Sequence, residues 1–353
     1  MPLLGVVLPV LVLILASCEY VGGQDVFLPY EPGSHTTTKV HIGSLLTPGL
    51  EENLDVWLPT EGGTYNVFYF LDGMGAVTPA NFYAQTMKHI ASHGIAVVVV
   101  WKMSGPLNPE DKVPIFASVL EWAEEHLEKR LHNSGVEDSV HLDLENLVLG
   151  GHSAGNHILV EYLKGTCGKV KGQVFISPVD GADPFGLLPI YCINPRQSLN
   201  YITPTLHLAA GLDSLPGFSG IACAPEDLSN DRFYQALDPS SQRWSINATE
   251  FGHADFLDPP FAEAVGTTGF CSYNNDATAE EFSVYRRFVA GQTVTFIKAL
   301  LEEEEGDCGQ YLPYLEDTTL MPVAAEERHV NDIGGCPVAG CSWTPETIYT
   351  GAL

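Results

Sequence analysis

The sequence predicts an α/β fold: a mostly parallel central sheet with helices on both faces. Three observations carry this. Short apolar runs alternate with stretches of helical period along the chain. The run Ile95 to Trp101 is apolar throughout, as in a strand buried on both faces. Gly or Pro follows most of the runs. There is no internal repeat, and no linker long enough to divide the body.

The strands come in order. Leu54 to Leu58 alternates and stops at Pro59. Asn66 to Leu71 is apolar and aromatic and closes on Asp72-Gly73. After Ile95 to Trp101 come Leu147 to Leu149, Val174 to Ile176, Thr205 to Ala210 and the strand-like Trp244 to Asn247. Helices fill the gaps. Phe116, Val119, Leu120, Ala123, Leu127 and Leu131 share a face at spacings of three and four, and a similar pattern runs from Phe282 to Leu301. Glu302 to Glu305 then sit at the negative pole of that last helix and should fray it.

Composition bounds the partners. Of 353 residues, 44 are acidic and 16 basic, a formal charge of −28. Such a surface repels nucleic acid and anionic membranes. At 45% hydrophobic and 17% charged, the chain has ample apolar content for a core.

The ends differ from the body. Leu3 to Ala16 is an apolar run too short to span a bilayer. With Ala16 and Ser17 after it, residues 1–17 read as a secretory signal peptide. Leu15-Ala16-Ser17-Cys18 also resembles a bacterial lipoprotein box, in which Cys18 carries lipid. No second hydrophobic segment exists, so no transmembrane span is expected. Residues 18–301 read as the catalytic body and 302–353 as an irregular acidic appendix. From Leu301 to Leu353 eleven acids face one base, Arg328. None of the eight cysteines forms a CxxC pair, and no metal site is expected; in a secretory route disulfides are their use. If Cys18 is removed, seven remain and one stays free or pairs between chains. Asn247-Ala248-Thr249 is a glycosylation sequon, which makes Asn247 an acceptor in a eukaryotic secretory route.

The chemistry centres on Gly151-His152-Ser153-Ala154-Gly155. A strand precedes it, and a helical pattern of Ile158, Leu159, Tyr162 and Leu163 follows. This is the nucleophile elbow of the α/β-hydrolase fold in its required context. The tight turn pushes the Ser153 hydroxyl out above the sheet. It also sets the Ala154 N–H at a helix N-terminus, where an oxyanion forms. A second oxyanion donor is expected after the Asn66 to Leu71 strand, from the N–H of Gly73 or Met74.

A serine hydroxyl needs a base, and the base needs an acid, in the chain order Ser, acid, His. His157 lies one helical turn past Ser153, His207 sits inside a strand and His329 in the acidic tail. His253 lies in a loop after the last strand, where the fold requires the base. Asp180 and Asp213 each follow a strand, and position alone leaves both open.

These segments together resemble the chlorophyllase family over about Leu54 to Leu301. The likeness rests on Val67-Phe68-Tyr69-Phe70-Leu71-Asp72-Gly73 with Asn81-Phe82-Tyr83, on His89-Ile90-Ala91-Ser92-His93-Gly94, on Gly151-His152-Ser153, on Pro178-Val179-Asp180-Gly181, on Cys223-Ala224-Pro225 and on Gly252-His253-Ala254-Asp255. The resemblance implies hydrolysis of the phytyl ester of chlorophyll, with Ser153 as nucleophile, His253 as base and Asp180 as acid. It implies no metal or organic cofactor, the magnesium belonging to the substrate, and a small apolar ester as partner. A long isoprenoid needs an apolar groove, for which the insert after the acid, Phe185, Leu187, Leu188, Ile190 and Tyr191, is the candidate lining. Here Ala154 and Asn156 stand where the family has Arg and Gly, Ser177 where it has Asp, and Asp72 where many hydrolases of this fold have His. The resemblance also admits a plastid location, although residues 18–36, without Lys or Arg, do not read as a transit peptide. A secreted carboxylesterase or lipase acting on phospholipid or polyester is the alternative, because fold and triad do not fix the ester. A non-enzymatic binding protein on this scaffold is disfavoured, since such proteins commonly lose triad members.

Overall fold

A computed structural model describes residues 27–344 except 107, 182–189, 218–219, 221, 268–270, 302–307 and 331–335. The expected signal segment and Cys18 lie outside the described residues. In chain order the main elements are β1 (Thr37–Ile42), β2 (Asn53–Pro59), β3 (Gly63–Leu71), α1 (Ala84–Ser92), β4 (Ile95–Trp101), α2 (Pro109–His132), β5 (Val140–His152), α3 (Gly155–Gly165), β6 (Val170–Ile176), β7 (Thr205–Ala210), α4 (Asn230–Ala236), β8 (Arg243–Ala248), α5 (Ala279–Leu301) and β9 (Ala325–Val330).

The nine strands hydrogen-bond in the order β1-β2-β4-β3-β5-β6-β7-β8-β9. From β4 to β8 in that order all neighbours are parallel. β2 runs antiparallel to β4 and to β1, and β9 runs antiparallel to β8. This is an α/β-hydrolase fold. The register puts the ends of β3, β5, β6, β7 and β8 on one edge of the sheet, where residues from distant parts of the sequence meet.

The continuous apolar run of β4 follows from burial on both faces. Ala96, Val98 and Val100 pack in the core beneath α2 and α3. Ile95, Val97 and Val99 pack in the opposite core beneath α1 and α5. Each fully buried side chain of this kind contributes about 1.5–3 kcal/mol over exposure. α2 is capped at both ends: Asn108 Oδ1 accepts from the Glu110 N–H at 3.2 Å, Pro109 opens the helix, and Lys129, Arg130 and His132 sit in its last turn.

The acidic C-terminal segment is tied to the body. Cys308 pairs with Cys336 inside it, and Cys341 reaches back to Cys167 at the end of α3. A third bridge joins Cys223 to Cys271. Cys192 is free and buried. Where an irregular appendix is expected, residues 325–330 add β9 to the sheet edge. Trp244 of β8, fully buried, also donates to Glu316 Oε1 at 3.0 Å. Among the described residues no helix is long and apolar enough to cross a membrane.

Candidate active site

β5 delivers Ser153 into a forced turn. Ser153 has φ of 53°, left-handed and costly for a residue with a side chain. The turn is pinned on all sides. Ser153 N–H donates to Ile176 O at 3.1 Å, and Val179 N–H donates to Ser153 O at 3.1 Å. The Asn156 side chain donates to Ser153 O and Ile176 O at 3.1 and 3.3 Å. Asn156 departs from the family's Gly, and its amide now braces the elbow, a role the sequence did not signal. Gly155 crosses the end of β3 so closely that a Cβ would lie 2.3 Å from Leu71 O. Gly155→Ala should therefore destabilise the protein by about 3 kcal/mol, as overpacking against backbone does. The midpoint of urea unfolding measures it, and an unchanged midpoint would refute the close crossing.

His253 is 5% exposed and its Nδ1 lies 3.2 Å from Asp213 Oδ1. The other Asp213 oxygen accepts from Asn230 Nδ2 at 2.8 Å and from the Ala210 N–H at 3.2 Å. Asp213 follows β7 and His253 follows β8, and these strands are neighbours.

Asp180, expected as the partner of His253, is engaged elsewhere. Its carboxylate accepts from the Cys192 N–H at 2.7 Å, the Ile193 N–H at 3.2 Å and Arg232 Nε at 2.7 Å. His157 Nδ1 lies 3.2 Å away. Burial pushes the Asp180 pKa up, but hydrogen bonds from His157 and Cys192 outweigh it and hold the carboxyl below its usual range. The separation of Asp180 from His253 has a simple cause. Asp180 is fully buried and surrounded by donors that fix the chain where it returns at Cys192, and β6 is not the strand beside β8. His157, Asp180 and Cys192 bring their ligand atoms within 4.8 Å of one another. Arg232 already neutralises that carboxylate, so a cation there would have to displace a guanidinium.

The loop after β3 separates the two expected oxyanion donors. Gly73 N–H donates to the Tyr83 hydroxyl at 3.0 Å and is spent. Met74, at φ 56°, and Ala154 keep backbone N–H groups with no protein acceptor among the described residues. Asp72 is fully buried and accepts from the Thr78 N–H at 3.2 Å. Burial raises its pKa well above the usual carboxyl value, which favours the uncharged form and lessens its opposition to a developing oxyanion.

The loop carrying His253 is held by Asp255, whose Oδ2 accepts from the Gly252 N–H at 2.7 Å and the Asn274 N–H at 3.1 Å. Burial raises the Asp255 pKa from 3.8 to about 7. The sign follows from linkage. Its protonated form stabilises the fold fully below the unfolded value, and that contribution is lost as pH rises through about 7. Asp255→Asn should flatten this fall, raising unfolding free energy at pH 8 relative to wild type more than at pH 4. Denaturation at both pH values measures it, and equal effects would contradict the buried neutral acid.

Of the expected groove residues, Phe185, Leu187 and Leu188 lie outside the described residues. Ile190 is half-buried, and Tyr191 is 38% exposed with the Arg232 guanidinium 5.1 Å from its ring centre. Asn247 is half-buried and lines a polar cavity of about 420 Å³ that also touches Asp213, His207 and Asn230 but not Ser153.

Fold and site together define a hydrolase of the α/β class, with a serine elbow and a histidine–carboxylate pair on one edge of its sheet. The chlorophyllase family profile matches residues 25–331. Two relatives from Arabidopsis thaliana are similar to the chain. Chlorophyllase-2 is 28% identical over 279 residues, 76% of this chain and 83% of that protein. Chlorophyllase-1 is 27% identical over 289 residues, 79% and 86% respectively. The chain belongs to the chlorophyllase family and is a carboxylic-ester hydrolase of that type.

Proposed function

We propose that this chain hydrolyses the phytyl ester of chlorophyll, with Ser153 as nucleophile, His253 as general base and Asp213 as the acid that orients it. The observation that carries the reading is the buried His253–Asp213 pair at 3.2 Å on the edge that presents the Ser153 elbow. The substrate rests on the family and on the names of the two relatives.

Ser153 Oγ attacks the propionate ester carbonyl and passes its proton to His253 Nε2. Asp213 accepts from Nδ1–H, which fixes the tautomer and stabilises the imidazolium. The oxyanion receives the N–H groups of Met74 and Ala154. The bond to the phytyl oxygen breaks, His253 returns its proton to that oxygen, and phytol leaves. Water, deprotonated by His253, then attacks the acyl-enzyme. Chlorophyllide departs as a carboxylate and Ser153 regains its proton.

Three disulfides favour an oxidising compartment, consistent with the apolar leader and a secretory route. Incubation with chlorophyll a and with short nitrophenyl esters tests the substrate. Release of chlorophyllide supports it; turnover of short esters alone would instead indicate an esterase of other specificity.

A further inference from the structure

A chain of three buried hydrogen bonds links the loop after β3, the nucleophile elbow and the loop of the base. Gly73 N–H lies 3.0 Å from Tyr83 Oη, Tyr83 Oη lies 2.9 Å from His152 Nδ1, and His152 Nε2 lies 3.1 Å from the carbonyl oxygen of His253. Tyr83 is fully buried and His152 is 3% exposed. The two ends fix the direction of every bond. A carbonyl only accepts, so His152 carries its proton on Nε2 and its Nδ1 accepts. The Tyr83 hydroxyl therefore donates to Nδ1, and its oxygen accepts from the Gly73 N–H, which only donates.

From this geometry we infer that Tyr83 and His152 are positioning residues that lock the oxyanion loop, the elbow and the base loop into one register. The inference rests on the proposed triad and adds to it. Each element reaches the edge of the sheet on a separate loop, and loops carry the slack in such a fold. Tyr83 holds Gly73, and so aims the neighbouring Met74 N–H. His152 adjoins Ser153 and holds the backbone of the base itself. The rings leave little room to shift. His152 lies 4.7 Å from both the His253 and Phe256 ring centres, and Tyr83 packs against Phe70 and Phe256. Any Cβ on Gly73 would sit 3.0 Å from His152 Nδ1 and 3.1 Å from Tyr83 Oη, so a side chain there would crowd the relay. Burial, with His253 beside it, keeps the His152 pKa well below its usual value, which agrees with a neutral ring.

Tyr83→Phe keeps the packing and removes two of the bonds. His152→Leu removes the bonds at both ring nitrogens, whereas His152→Gln restores an acceptor and a donor on one side chain. The full chain is assayed with an ester it turns over, and its imidazoles are read by nitrogen NMR. Expected are a kcat lowered about 10- to 100-fold in Tyr83→Phe and His152→Leu with KM little changed, as for a misplaced reacting group. His152→Gln should recover most of the loss, and wild-type His152 should show the Nε2–H tautomer. Wild-type kcat in Tyr83→Phe, a Gln variant no better than Leu, or an Nδ1–H tautomer in wild type each overturns the inference. The tautomer is read without turnover, so it still decides the relay if Ser153 proves not to be the nucleophile.

Discussion

Asp213→Asn lowers kcat for ester hydrolysis on the order of 10³- to 10⁴-fold, while Asp180→Asn leaves kcat of the folded enzyme near wild type and lowers its stability. The two carboxylates are both buried, so burial does not separate them. Their partners do. Asp213 faces His253 at 3.2 Å, and an amide there can present an N–H to Nδ1 and impose the wrong tautomer. Asp180 instead faces Arg232 and two backbone N–H groups. Removing its charge leaves a guanidinium with only 14% exposure short of its counter-ion, a loss of about 3 kcal/mol. Steady-state kinetics paired with urea denaturation on both variants separates the roles. A larger kcat loss in Asp180→Asn would reverse the assignment.

Ser153→Ala and His253→Ala each lower kcat on the order of 10⁵- to 10⁶-fold with the fold retained, and the double variant is barely worse than either single one. In the proposed triad nucleophile and base act as a unit, so removing one leaves the other without a task. What survives is the small rate supplied by binding and the oxyanion donors. Ser153→Ala also relieves nothing in the backbone, because Ala is as strained as Ser at φ 53°. Its circular dichroism and unfolding midpoint should therefore stay close to wild type. Substantial turnover in either single variant would remove the proposed mechanism.

Much of the fold is legible along the chain because each element there answers to its own neighbours. β4 is apolar throughout, since cores cover both of its faces, and α2 announces itself by its apolar stripe. The edge strands are less legible. β1 and β9 are half-solvated and carry Lys39, His41, Glu326 and Arg328, so their pattern resembles loop. β9 also lies in a segment whose acidity suggests a tail. Only the disulfides and the pairing with β8 show it as part of the sheet.

At the site, the elbow is local and therefore readable: strand, Gly-His-Ser-Ala-Gly, helix. His253 is readable too as a candidate base, from chain order. Its carboxylate partner is not. Asp180 and Asp213 each end a strand, and the likeness of Pro178-Val179-Asp180-Gly181 to the family's stretch pointed to the first. A usable cue is that Asp213 ends the strand immediately preceding that of His253.

The sequence by itself determined the class of fold and the family, and it singled out Ser153 and His253 as the candidate nucleophile and base, because these depend on periodicity and on residues adjacent in the chain. Only the tertiary structure decided which carboxylate meets His253, that Gly73 is spent on Tyr83, and that Asp72 is fully buried. Those facts depend on which strands lie side by side and which polar groups burial leaves with a partner. Hydrogen bonds between groups 40 or 69 residues apart leave no mark on the order of residues between them.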